Sequence, residues 1–268
     1  MYALYIIYPD LSRYLTQNNQ GDINRDMATG YLTEQNLQVS RGLIQGSTVR
    51  NIFGYQTAGD TTLRALWEFA NTSYAYPTGA ITMTVTSASA SDNGKTLLIQ
   101  GLDANYAEIS TTVTINGGGD IDTSIAFFRI NDVILTSGTT NVGLITIQNT
   151  GKTVKYAGIR AGDGRNQASI FTVPADKEFY LYRIDAFSND STASKPAIFR
   201  NFTRNSNGQE YNTARTSLEN NMNIQRRFTF KYGEKTDIQF QMATLTGSHE
   251  LGVFGEGVLV DVPRVMDV

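Results

Sequence analysis

The chain of 268 residues contains no cysteine, an absence that removes disulfide staples, thiolate nucleophiles and cysteine-based metal sites together. Stability has to come from burial, hydrogen bonds and subunit contacts. Histidine occurs once, at His249, so a histidine cluster for zinc or iron cannot be assembled. A histidine-based triad would need His249 beside a serine and an acid, yet its surroundings, "TLTGSHELG", lack the Gly-x-Ser-x-Gly elbow. Charge is scarce: charged residues make up 18%, and 22 basic against 25 acidic side chains leave a net charge of −3. No cluster of Lys and Arg offers nucleic acid an electrostatic footprint, so DNA and RNA are not expected as direct partners. Long hydrophobic runs are missing too. "YALYIIY" follows no basic residue and meets Pro9-Asp10 rather than a small-residue cleavage site, so it does not read as a signal peptide. A spanning helix needs roughly 20 apolar residues; none is found, and no membrane partner is expected.

Thr, Asn, Ser, Gln and Gly fill the space that charge leaves, a composition that suits strands and turns better than exposed helices. The clearest pattern begins at Ala80. Ile81, Met83 and Val85 alternate with Thr82, Thr84 and Thr86, the period-2 signature of a half-buried strand. Asp92-Asn93-Gly94 then supplies turn residues that tolerate positive φ, "KTLLIQGL" is a second strand, and "DAN" at 103–105 is a second turn. Ile109, Thr111, Val113 and Ile115 mark one face of a third strand, and "NGGGD" closes the meander because glycine punctuates strands. Further strands are expected at "FFRINDVIL", "VGLITIQN", "TVKYAGI", "SIFTV", "EFYLYRIDAFS", "AIFRNF", "RRFTFKYG", "DIQFQMATL" and "LGVFGEGVLVDV". Upstream, Leu63, Ala65, Trp67 and Phe69 fall on one side of a would-be strand with Thr62, Arg64 and Glu68 on the other, and Trp67 reads as core with its N–H on one partner. The chain is therefore read as all-β, with antiparallel β-sandwich or barrel-like units and an extended N-terminal arm. The expected divisions are an arm over 1–45, a first β unit over 46–154, and a second over 155–268 with a long polar insertion near 203–225, "TRNSNGQEYNTARTSLENNMNIQ".

Chemistry is harder to find. Two carboxylates at the right separation suffice for glycoside hydrolysis, which makes Asp103, Glu108, Asp120, Asp122, Glu234 and Asp237 the acids to follow; the plainer expectation for each is a turn cap or a solvated charge. "GGGDID" and "AGDGRNQ" have the look of ion or phosphate loops but match neither the twelve-residue calcium pattern nor the Lys-Ser/Thr of a phosphate loop, and read as turns. No catalytic, cofactor-binding or metal-binding residue is assigned, no cofactor is expected, and the chain is not expected to be an enzyme.

The segments "SRGLIQGSTVRNIFGYQT" (40–57), "LWEF...YAYPTGAITMTVTSASASDNGKTLLIQGLDANYAEISTTVTINGG" (66–118), "NVGLITIQNTG" (141–151) and "GEKTDIQF" (233–240) resemble structural proteins of tailed-bacteriophage virions. The resemblance covers most of the chain from about residue 40, and its most specific part is the "SxSxSD...IxGLDxNYxEIS" pattern. Members of that group often carry a longer Gly-rich insert after the Ser-Asp step and a Glu where Thr111 stands; here the turn is only "DNG". The resemblance implies a virion protein, assembled in the host cytoplasm, that decorates or cements the capsid as a homo-oligomer, expected to be a trimer, on the major capsid protein. The alternatives are a tail tube, baseplate or fibre-attachment role among tail proteins, and a carbohydrate-binding or carbohydrate-active protein that recognises the host surface. A virion role fits a cysteine-free chain whose Thr- and Asn-rich strand faces can bind weakly at many copies and gain strength through avidity.

Overall fold

The computed structural model describes residues 35–138, 140–189 and 196–262. The chain divides into two units, residues 1–45 and 46–268. In the first, the described part is a short helix, α1 (Gln35–Ser40), ended by a turn in which Gly42 takes a φ of 71°. Most of the expected arm, residues 1–34, lies outside the described residues, and the part that is described is helical rather than extended.

The second unit is all-β, and every strand pairing in it is antiparallel. Its strands are β1 (Ser47–Gly59), β2 (Arg64–Ala65), β3 (Met83–Ser87), β4 (Thr96–Leu102), β5 (Glu108–Thr114), β6 (Ile121–Asp122), β7 (Arg129–Leu135) and β8 (Ile145–Asn149). They continue with β9 (Lys155–Ile159), β10 (Ile170–Thr172), β11 (Lys177–Asn189), β12 (Ala197–Arg204), β13 (Glu210–Leu218), β14 (Asn221–Tyr232), β15 (Asp237–Thr244) and β16 (His249–Asp261). Of the three strands expected to form a meander only the last two pair: β4 runs beside β5 from Thr96↔Thr114 to Leu102↔Glu108 and takes β7 on its other side, whereas β3 belongs to the other sheet, between β6 and β8, so the turn at Asp92–Gly94 crosses from one sheet to the other. Gly94 in its turn takes a φ of 80°, a value that "DNG" was suited to supply.

Two sandwiches follow from which sheets share a core. In one, β6-β3-β8-β9 faces β5-β4-β7, and Met83, Val85, Leu97, Ile99, Val133, Ile145 and Ile159 meet between them without measurable exposure. In the other, β1-β16-β11-β14 faces β10-β15-β12-β13, with β2 also on β15, around Phe179, Leu181, Phe199, Ile238, Phe240 and Leu251. This division corrects the boundaries expected from sequence. Strand β1 pairs with β16 from Ser47↔Val260 to Gly59↔His249, so residues 47–59 belong with the C-terminal strands, and the first sandwich is an insertion between β2 and β10. Alternation reveals that a segment is a strand; it does not reveal a partner some 200 residues away.

Two local expectations also change. The polar insertion of 203–225 is mostly strand: a turn held by Asn205 Oδ1, which accepts from the Asn207 and Gln209 N–H groups, joins β12 to β13, and β14 begins three residues after β13 ends. Both β13 and β14 are sheet edges, and polar side chains on both faces of an edge strand erase the alternation that would have marked it. Between Leu63 and Phe69 only Arg64–Ala65 is strand, and Ala65 to Phe69 are all buried, Glu68 included. Trp67 does sit in the interior, with its Nε1–H donating to Thr72 O at 2.8 Å.

Candidate functional site

The six acids that could have paired for hydrolysis are each used to fasten the fold. Asp103 Oδ1 accepts from the N–H groups of Asn105 (2.8 Å) and Ala107 (2.9 Å), capping its own turn. Asp122 accepts from Thr84 Oγ1 at 2.5 Å, Asp120 pairs with Lys152, and Glu108 approaches Lys177, which Asp261 also holds. Glu234 Oε2 accepts from the Asp176 N–H at 2.8 Å. Among the described residues no two of the six share a partner, and no group of three or more His, Cys, Asp or Glu could hold a metal ion. "GGGDID" runs from a turn into β6, and "AGDGRNQ" is a turn whose Arg165 pairs with Asp132, so both behave as turns. His249 is buried in β16.

The Ser-Asp motif has a structural task. Ser87 Oγ donates to Asp92 Oδ2 at 2.6 Å, the N–H of Gly143 donates to the same oxygen at 2.9 Å, and Oδ1 receives the Val142 N–H (2.7 Å) and Lys95 Nζ (2.8 Å). Ser89 caps the intervening 3-10 turn (Ala90–Asp92) by accepting from Ser91 N–H. Burial alone would raise the Asp92 carboxyl, but Lys95, Ser87 and the two N–H groups together hold it well below the usual carboxylate range. The motif thus ties the end of β3 to the loop before β8.

Asp237 is more consequential than a cap. It opens β15 with only 2% exposure and takes Arg129 Nε on Oδ1 (2.9 Å), Arg129 Nη2 on Oδ2 (3.1 Å), Thr172 Oγ1 on Oδ1 (2.7 Å) and Arg204 Nη2 on Oδ2 (2.6 Å). Arg129 lies on β7, in the inserted sandwich, and the other three lie in the second, so this ion triad bolts the two together. Tyr76 lies against both guanidiniums, 4.6 Å from each, and Phe128 stacks on Arg129 at 4.0 Å. A reciprocal pair adds a second fastening: Asn131 Nδ2 donates to Thr172 O and Thr172 N–H donates to Asn131 Oδ1, both at 2.9 Å. A third runs from Arg50 on β1, whose Nη2 donates to Asn131 O at 2.7 Å. Directional polar bonds, which tolerate little rotation, therefore set how the sandwiches meet.

One buried acid is held less completely. Glu68 Oε1 accepts from the Gln167 N–H, while Oε2 is buried with no hydrogen-bond partner. Burial pushes its carboxyl up from 4.5 to about 7, against the opposing pull of the Gln167 N–H and the Arg160 charge. Arg160 is itself committed to the Tyr55 and Trp67 carbonyls and to Gln167 Oε1.

No family model matches the chain, and no curated protein does. Among solved structures, the PBSX exported protein XepA aligns at 12% identity over 79% of this chain and 84% of its own, with a TM-score of 0.18. The infectious bursal disease virus VP2 subviral particle aligns at 11% identity over 82% of this chain and 78% of its own, with a TM-score of 0.19. Likenesses at these TM-scores carry no argument about fold or role.

Sequence reasoning missed Arg129 and Glu68 as buried groups and Arg204 as a half-buried partner of Asp237. A signal existed for the first: Arg129 interrupts the apolar run of "FFRINDVIL", and a cation inside such a strand calls for a buried acid. Nothing local marked Glu68, whose burial depends on the segment around Gln167 closing over it.

Proposed function

We propose that this chain is a non-enzymatic structural protein of a phage virion, a capsid decoration or cement protein that bridges neighbouring shell subunits. The observation that carries this reading is the fate of the acids: each of the six carboxylates followed from the sequence is engaged as a cap, a hydrogen-bond acceptor or an ion-pair member, and among the described residues none is paired with another. The resemblance of the "SxSxSD...IxGLDxNYxEIS" region to virion proteins supports the same conclusion, and the Asp92 lock gives its Ser-Asp step a load to carry. A polar outer surface on the edge strands β13 and β14 suits contacts that are weak singly and strong in number. Assembly as a homotrimer on the major capsid protein would match the closed symmetry that soluble oligomers favour and the local threefold positions a shell offers.

The mechanism is mechanical: the protein holds adjacent subunits together against internal pressure. Particles stripped of it are expected to stay assembled but to open at lower temperature or under milder osmotic shock than intact ones. Equal resistance of stripped and intact particles would refute cementing. A count of a dozen or fewer copies per particle would move the protein to the tail.

A further inference from the structure

Burial alternates along β12: Phe199, Asn201 and Thr203 have no measurable exposure, while Arg200, Phe202 and Arg204 lie on the opposite, half-exposed side of the sheet. Strand β13 continues that outer side with Glu210, Asn212, Arg215 and Ser217, all exposed. Register then places Arg200 directly opposite Arg215. Like charges facing each other across an antiparallel pair destabilise it, and among the described residues no acid is paired with either. The nearest acids along these strands, Asp237 and Glu210 opposite Arg204 and Glu219 just past β13, stand four or more residues from the pair, roughly 13 Å of strand. Burial, and after it the charge of Arg215, lower the Arg200 guanidinium below its ordinary value, with no acid acting against them.

One of the two guanidiniums is already fixed in place. Arg200 Nε donates to Gln241 Oε1 at 2.8 Å and Nη2 donates to the same oxygen, while Gln241 Nε2 is itself committed to Gln239 Oε1 at 2.6 Å. The Gln241 carbonyl is neutral, so it orients Arg200 without neutralising it, and Nη1 keeps no partner among the described residues. Arg215 makes no hydrogen bond or ion pair among them at all. On the same face Ser217, opposite Ile198, and Asn212, opposite Phe202, flank Arg215, and both can donate. The site is open on one side, because β13 is the edge of its sheet. Two accessible cations brought together by register, one of them pre-oriented, call for an anion with charge enough for both. A phosphomonoester carries about −1.5 to −2 near neutral pH, whereas a carboxylate or a phosphodiester carries a single charge. The planar fork of arginine also matches phosphate oxygens in pairs.

We propose that Arg200 and Arg215 form a binding site for a phosphate group, as the free ion or on a small monoester, with its oxygens on Arg200 Nη1 and on the guanidinium fork of Arg215. The open edge of β13 leaves room for the remainder of an ester to extend into solvent. The site does not depend on a position in a virion, and the isolated chain is sufficient for its test.

Inorganic phosphate and phenyl phosphate are titrated into the full chain above neutral pH at constant ionic strength, followed by calorimetry and by phosphorus NMR line broadening. Both are expected to bind saturably in the millimolar range, and benzoate, with its single charge, about tenfold more weakly or worse. Arg215→Gln should weaken phosphate binding about tenfold or more, the effect of one charge-assisted hydrogen bond. Arg200→Lys keeps the charge but loses the fork, and should weaken it as well. Arg215→Glu guards against a trivial loss of fold: without phosphate it should melt above the wild type, because opposed charges become attractive, and it should bind no phosphate. No binding of either phosphate probe at tens of millimolar would overturn the proposal. So would benzoate binding as tightly as phenyl phosphate, wild-type affinity in both Arg215→Gln and Arg200→Lys, or a lower melting temperature for Arg215→Glu, which would mean that the two arginines do not oppose each other.

Discussion

Replacing Glu68 by Gln should convert a pH-dependent protein into a less pH-dependent one between about pH 4 and 8. The Glu68 carboxyl titrates near 4.5 when the chain is unfolded and at about 7 in the fold, with burial as the leading cause. The folded state thus favours the protonated form. Its contribution to stability is fully present below the unfolded value, declines as pH rises between the two, and is lost above about 7. At ~1.4 kcal/mol per pH unit the difference amounts to about 3 kcal/mol, or roughly 6–12 °C in Tm for a domain of this size. Gln keeps an oxygen for the Gln167 N–H and carries no charge, so Glu68→Gln should match the wild type near pH 4 and exceed it by up to about 3 kcal/mol at pH 8. Asp92 and Glu178, whose carboxyls are held below their ordinary values by Lys95 and Lys231 among others, are present in both proteins, so their contributions cancel in the comparison. Urea unfolding followed by Trp67 emission at pH 4, 6 and 8 measures the difference. Parallel stability curves for the two proteins would refute the reasoning, because they would mean that Glu68 is as well solvated folded as unfolded.

Three further outcomes follow from the packing. Asp237→Ala leaves the buried Arg129 without its acid and frees the half-buried Arg204, and should cost about 3–5 kcal/mol by chemical denaturation, against under about 1 kcal/mol for the exposed pair partner Asp120→Ala. Asp92→Ala removes four hydrogen bonds at once and should lower stability by about 3 kcal/mol or more at neutral pH; since its folded titration lies below 3.8, the difference from wild type should shrink only as the pH falls through that range. Gly101→Ala places a Cβ 2.1 Å from Arg129 O and 2.8 Å from the Phe127 ring, so it should destabilise by about 2 kcal/mol or more, visible as a lower Tm, because the backbone carbonyl of β7 cannot step aside.

The strands of the inserted sandwich were legible because each is apolar on one side only. Ile81, Met83 and Val85, then Ile109 and Val113, alternate cleanly, and the turns between them carry the Asp, Asn and Gly that turns require. Pairing was not legible: Ser47–Gly59 finds its partner at His249–Asp261, and nothing local in either segment encodes the other. Edge strands failed for a different reason, since β13 is exposed on both faces and reads as loop. The serines of "SASASD" alternate with alanine and show no task in the sequence alone. Ser87 donates to Asp92 and Ser89 caps the turn between them, and the lock is complete only once the loop at Val142 is folded against Asp92.

The central claim, that the chain is a structural component of a virion shell, is tested most directly by the copy number and position of the protein in images of intact purified particles. The account predicts hundreds of copies at regular sites on the head, seated between shell subunits. Absence from the particle, or presence only in the host fraction, would contradict it.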